Sequence, residues 1–144
     1  MIHSIRRYGL GAVASAVFTG PVLAHHGDAG RFSEETVTLT GTVVAVQLVN
    51  PHTTILFEVV DEQGKRSTWQ AELGSPRQLS MSFGWDRQTL LPGTRILVTG
   101  RAVKSGAPYI NLTERSRIVL AGSCEEIFHS ATLPETSVSC TPQT

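Results

Sequence analysis

Apolar and polar residues alternate with a period of two in several short stretches of this 144-residue chain, which is the pattern of half-buried strands. Ile55, Phe57 and Val59 form one such stretch, and Trp69, Ala71 and Leu73 form another against Thr68, Gln70 and Glu72. Between them Asp61-Glu62-Gln63-Gly64 reads as a hairpin loop, with Gly64 available for a left-handed position. Upstream, Thr36 to Val49 is rich in Thr and Val, as strands are. Gly41 interrupts this run, which predicts a bulge or strong bend of the kind that curls a small sheet into a barrel. Asn50-Pro51-His52 is a turn between the first and second strands.

One helix is expected. Ser75 supplies an N-cap, Pro76 the first helical position and Gly84 a stop, and Leu79 and Phe83, four residues apart, face the core. After the Pro92-Gly93 turn, Arg95 to Val103 reads as a fourth strand, Tyr109 to Leu112 as a fifth and Arg117 to Leu120 as a sixth. The chain is therefore expected to be mainly β: a small OB-fold-like Greek-key barrel of five to six strands, with one short helix between strands three and four. A small up-and-down barrel or a β-sandwich is the alternative. The core is expected from Val43, Ile55, Phe57, Trp69, Leu73, Leu79, Phe83, Ile96 and Val98.

The first 24 residues have a different pattern. Arg6 and Arg7 precede a short apolar run from Leu10 to Phe18, and Gly20-Pro21 then leads to Val22-Leu23-Ala24, with modest side chains at the −3 and −1 positions. Residues 1–24 read as a cleavable signal peptide, with cleavage between Ala24 and His25. The run is too short, and too soon broken, to span about 30 Å of hydrocarbon, so no membrane span is expected after cleavage. The general secretory route fits better than the twin-arginine one, because Tyr8-Gly9-Leu10 follows the arginine pair. The location expected is periplasmic or secreted.

Removing the leader leaves 120 residues, enough for one domain with one core. Residues 25–35 read as a flexible lead, 36–121 as the barrel and 122–144 as a Ser-, Thr- and Pro-rich tail. Lys plus Arg number 12 and Asp plus Glu 12, and loss of Arg6 and Arg7 brings the mature chain to a net charge of −2. That balance gives no reason to expect a nucleic-acid partner. Cys124 and Cys140, the only cysteines, are expected to pair in an oxidising compartment; a thiolate metal site with His129 is the weaker alternative.

Taken together, His25-His26, Thr38-Leu39-Thr40-Gly41-Thr42-Val43, Asn50-Pro51-His52, Glu72-Leu73-Gly74-Ser75-Pro76, Gly84-Trp85, Leu91-Pro92-Gly93 and Val98-Thr99-Gly100 resemble a family of small uncharacterised exported bacterial proteins, a domain of unknown function. The resemblance runs over about residues 22–120. It implies the same exported barrel and brings no activity or catalytic residue with it. Gly27-Asp28 stands where the family more often has Ser and an aromatic, and the cysteine-bearing tail after residue 121 looks added.

Candidate chemistry is sparse. There is no Gly-x-Ser-x-Gly, no Cys beside a His and no glycine-rich phosphate loop, so an enzyme is not expected. Glu58, Asp61 and Glu72 read as solvated acids on outward faces. Trp69, Trp85, Phe57 and Tyr109 read as core rather than as a base-stacking surface. The histidines carry the positive expectation. After cleavage His25 and His26 stand at a new N-terminus, where an α-amine of pKa near 8 joins two imidazoles. These are borderline nitrogen donors suited to Cu(II), and also to Ni(II) or Zn(II). About eleven residues separate His25 from the first strand, a reach of up to roughly 36 Å, enough to return to His52 in the first loop. The expected metal ligands are His25, His26 and His52, with copper as the cofactor. The competing expectation is a non-catalytic interaction domain that docks on an envelope protein, with the histidines incidental.

Overall fold

The computed structural model describes residues 30–132 and 139–141. Among them are seven strands and one helix: β1 (Val37–Gln47), β2 (Thr54–Val60), β3 (Arg66–Glu72), α1 (Pro76–Phe83), β4 (Arg95–Ala102), β5 (Tyr109–Asn111), β6 (Arg117–Leu120) and β7 (Glu126–His129). No helix among the described residues is long and apolar enough to cross a membrane.

Five strands close a barrel. The sheet runs β1-β2-β3-β5-β4, and β1 also pairs with β4 to shut the ring. Only β3–β5 is parallel among the pairings of the ring. With α1 between β3 and β4, this is the OB-fold-like Greek-key barrel that the order of elements predicts. The sheet then continues past β4 into β6 and β7.

Closure depends on β1 serving two neighbours. Its first half lies against β4, from Val37 opposite Gly100 to Thr42 opposite Arg95. Its second half lies against β2, from Thr42 opposite Glu58 to Gln47 opposite Thr54, with a register shift between Val43 and Ala45. Gly41 sits where the strand changes partners. A Cβ there would stand 2.6 Å from a Phe57 ring carbon and 2.7 Å from the Glu58 carbonyl oxygen, closer than real contacts come, so the close approach of β2 requires glycine, while the bulge expected at Gly41 lies instead at Val43 to Ala45.

The helix follows the capping signals. The Ser75 side chain accepts from the Gln78 amide at 3.2 Å, and Gly84 ends the helix in the left-handed conformation with φ 70°. Leu79 is the residue that α1 buries.

β5 and β6 lie on the same side of β4, β5 opposite Arg101 and Ala102 and β6 opposite Ile96 to Thr99. They behave as one strand interrupted by the excursion at 112–116. The buried Ser116 holds that excursion, its hydroxyl donating to the Leu112 carbonyl at 2.6 Å and its amide donating to Ser130 Oγ at 2.9 Å.

Seven of the nine expected core residues, Val43, Ile55, Phe57, Leu73, Leu79, Ile96 and Val98, are fully buried. Trp69 and Phe83 are not: both are half-buried and pack on the margin of the cluster. The Trp69 indole N–H donates to Ser67 Oγ at 3.2 Å, and the Phe83 ring meets Phe128 at 5.2 Å. Trp85 is buried, and its indole N–H donates to the Ile127 carbonyl at 2.7 Å.

Two end segments add contacts that the sequence pattern does not predict. In the 25–35 lead, Phe32 forms a bridge with Val103, and the Ser33 amide donates to the Ala102 carbonyl at 2.8 Å, so the lead is sheet-bound from residue 31 inward. In the 122–144 tail, β7 pairs with β6 and puts Phe128 into the core. Unpaired backbone groups at the ends of β4 and along β6 attract these neighbours, whatever the polarity of the sequence. Cys124 and Cys140 are joined by a disulfide, as expected.

Candidate functional site

His52 belongs to the β1–β2 loop, which the barrel holds by backbone bonds at its exit. The Thr53 amide donates to the Gly74 carbonyl at 3.0 Å, and the Leu73 amide donates to the Thr53 carbonyl at 2.9 Å. The loop is thereby tied to the end of β3, where Glu72 is paired on one side with Thr54 of β2 and on the other with Asn111 of β5. Since Ala71 and Leu73 point into the core, Glu72 faces outward beside the loop.

Three side chains meet there. His52 Nδ1 lies 3.0 Å from Glu72 Oε1, with the two side chains 49% and 26% exposed. The Tyr109 hydroxyl donates to the other carboxylate oxygen of Glu72. The pair is open enough to water that its Coulomb energy is small, so its main effect is to hold the imidazole in one orientation. With Nδ1 turned to the carboxylate, Nε2 is the ring nitrogen that remains for another ligand.

The Tyr109 ring is fixed from the N-terminal side of the chain. It stacks with Phe32 at 6.1 Å, and the Arg31 guanidinium lies 5.1 Å from the Tyr109 ring and 5.3 Å from that of Phe32. The backbone is fastened at the same place, because the Lys104 amide donates to the Arg31 carbonyl at 2.9 Å. Just inside it, Arg101 donates from Nε to the Ser33 carbonyl at 2.8 Å and pairs with Glu114 at 3.3 Å and Glu34 at 3.7 Å. The lead therefore enters the barrel within contact of Tyr109, one side chain from Glu72 and two from His52.

Of the residues expected to bind metal, His52 is held as described, while His25 and His26 lie outside the described residues. Among the described residues, no three His, Cys, Asp or Glu side chains form a group able to hold a metal ion. His129, the alternative partner for a thiolate site, instead lies edge-on to Phe83 at 5.3 Å. Of the four aromatics weighed as a stacking surface, Phe57 and Trp85 are buried and Tyr109 is engaged by Phe32 and Arg31.

Glu72 and Tyr109 are the functional candidates that sequence reasoning passed over. Glu72 reads as a solvated acid, yet both its oxygens have side-chain partners. The hairpin at 61–64 contains the signal that locates it, for counting the register back from that turn places Glu72 opposite Thr54, two residues from His52. Tyr109 carries no such signal, because its neighbour across the parallel β3–β5 pairing is set by the closed barrel.

No curated protein and no solved structure matches the chain. A family match does cover residues 12–109, a span that takes in His25, His26, Arg31, Phe32, His52, Glu72 and Tyr109 and leaves out β6, β7 and both cysteines. By that match the chain belongs to DUF6152, a family of unknown function.

Proposed function

We propose that the mature protein is an exported, non-catalytic binding module that holds a transition metal, Cu(II) foremost. The ligands are the α-amine and ring of His25, the ring of His26 and Nε2 of His52. Four nitrogen donors without thiolate or carboxylate suit tetragonal Cu(II) better than the other divalent ions of the first row. The observation that carries this reading is the contact chain from Arg31 through Tyr109 and Glu72 to His52. It supports convergence of the arm and the loop, because the few residues between His26 and Arg31 span up to about 18 Å.

The experiment is a copper titration of four proteins: the native mature chain beginning at His25, a version with one extra N-terminal residue, His25→Ala and His52→Ala. Masking the amine or deleting the His25 ring weakens binding strongly, and His52→Ala weakens it less. Equal binding by all four overturns the N-terminal site.

A groove of about 770 Å³ between β1 and the 86–92 loop supports the second reading, an interaction domain for an envelope partner. Val44, Val49 and Leu91, all exposed, line it. Absence of copper binding in all four proteins would favour that reading.

A further inference from the structure

We infer that Glu72 is the positioning residue of the proposed metal site: it keeps the imidazole proton of His52 on Nδ1 and so makes Nε2 the donor, while Tyr109 fixes the carboxylate. This rests on the metal reading above and assigns roles to two residues outside its ligand set.

A neutral imidazole carries its proton on one ring nitrogen and a lone pair on the other, and only the lone pair binds a metal. In unconstrained histidine the proton favours Nε2, which would leave the lone pair on Nδ1, the nitrogen nearest the backbone. Here Nδ1 faces Glu72 Oε1 at 3.0 Å. An ionised carboxylate only accepts, so the contact is a hydrogen bond when Nδ1 holds the proton and a repulsion between lone pairs when it does not. The lone pair is therefore moved to Nε2, on the far side of the ring from Glu72.

The carboxylate can impose this only if it is itself held. One restraint is its place at the end of β3, with a paired strand on each side. Another is the Tyr109 hydroxyl on Oε2, which stops the carboxylate turning away from the loop. Tyr109 is held in turn by Phe32 and Arg31, which belong to the same lead as His25 and His26. The loop that carries His52 and the described start of the lead, Arg31 and Phe32, are thus joined through Tyr109 to a single carboxylate. A carboxylate behind a ligating histidine fixes the tautomer and orientation of the ring, and loss of such a partner commonly costs about 10–100-fold in metal affinity.

The test has two readouts on the mature protein. In the metal-free protein, imidazole nitrogen NMR reports which nitrogen of His52 carries the proton. The wild type shows it on Nδ1, Glu72→Ala returns it to Nε2, and Glu72→Gln, which keeps a carbonyl acceptor, restores it to Nδ1. Tyr109→Phe lowers the Nδ1-protonated fraction without abolishing it. With Cu(II) as the probe, Glu72→Ala then weakens binding about 10–100-fold, and Glu72→Gln stays within a few-fold of wild type. Amide spectra confirm that each variant keeps the barrel.

If Glu72→Ala leaves the proton on Nδ1, the positioning role is overturned whatever copper does. If the proton moves but copper affinity does not, Glu72 orients His52 without serving a metal site, and the inference fails at that link. If wild type shows the Nδ1 proton and takes up no copper, it is the metal reading that fails.

Discussion

Gly41 shows how one missing side chain permits the barrel to close. A methyl group there meets the Glu58 carbonyl at 2.7 Å, and that carbonyl belongs to the β2 strand that β1 must pair with. Relief therefore requires moving backbone. Gly41→Ala is expected to destabilise the protein by about 1–3 kcal/mol, the usual cost of forcing extra volume into a packed site. Gly30→Ala, with open space around it, is the control and should be near neutral in the same denaturant titration. The Phe57 ring that Gly41 touches is fully buried, so Phe57→Ala should cost about 3–5 kcal/mol. Trp69→Ala should cost less than Phe57→Ala although the two residues are cross-strand partners, since the indole is half-buried with its N–H on Ser67. Equal losses would mean that Trp69 belongs to the core proper. That β1 carries an irregularity was legible because a glycine inside a Thr- and Val-rich run has a backbone reason to be there, but its place was not: the register shift lies between Val43 and Ala45, and Gly41 pairs regularly with Ile96. The shallowness of Trp69 was not legible either, for period-two alternation tells which face a residue takes and not how near the barrel's end it lies.

At the scale of elements, β1 to β4 and α1 were legible because each is bounded by turn chemistry: Asn50-Pro51, Asp61 to Gly64, Ser75-Pro76, Gly84 and Pro92-Gly93. β7 escaped because its two apolar residues, Ile127 and Phe128, stand side by side rather than alternating, in a tail otherwise rich in Ser and Thr. Its attachment is nevertheless extensive. Phe128 is buried, the Ile127 carbonyl accepts from Trp85, and the Cys124 amide donates to the Leu120 carbonyl at 2.8 Å. The disulfide to Cys140 then ties down residues 139–141, beyond β7. Two substitutions separate strand from bridge. Phe128→Ala removes a core ring and should cost about 3–5 kcal/mol. Cys140→Ser should cost less than Phe128→Ala, and hydrogen exchange should rise at residues 139–141 while β1 to β4 keep their protection. A global rise in exchange on losing the bridge would show that the barrel depends on it.

For the whole molecule, the question is whether the lead and the barrel act as one unit, and the proposed export step decides what the lead presents. Cleavage after Ala24 yields a chain that begins at His25, and intact-mass measurement of periplasmic material should return that chain; a mass retaining residues 1–24 would remove the free amine from the proposed site. The barrel was legible in the sequence from the order of its elements. The network joining Arg31, Tyr109, Glu72 and His52 was not, because its members come from four separate segments that only barrel closure brings together.

That network also bears on stability. A ligand that binds the folded chain more tightly than the unfolded one stabilises it, at saturation, by RT ln of the ratio of the two affinities, about 2.7 kcal/mol if His52 makes that ratio a hundredfold. For a domain of this size that corresponds to a rise in Tm of roughly 10 °C. The rise should appear when Cu(II) is added to the native mature protein. It should shrink in His52→Ala, because the amine, His25 and His26 lie together on the lead and bind copper whether or not the barrel is folded, which cancels their effect on Tm. His52 alone makes binding depend on the fold. A copper-induced rise of the same size in wild type and His52→Ala would show that lead and barrel are not joined through the metal, even if the N-terminal histidines bind it.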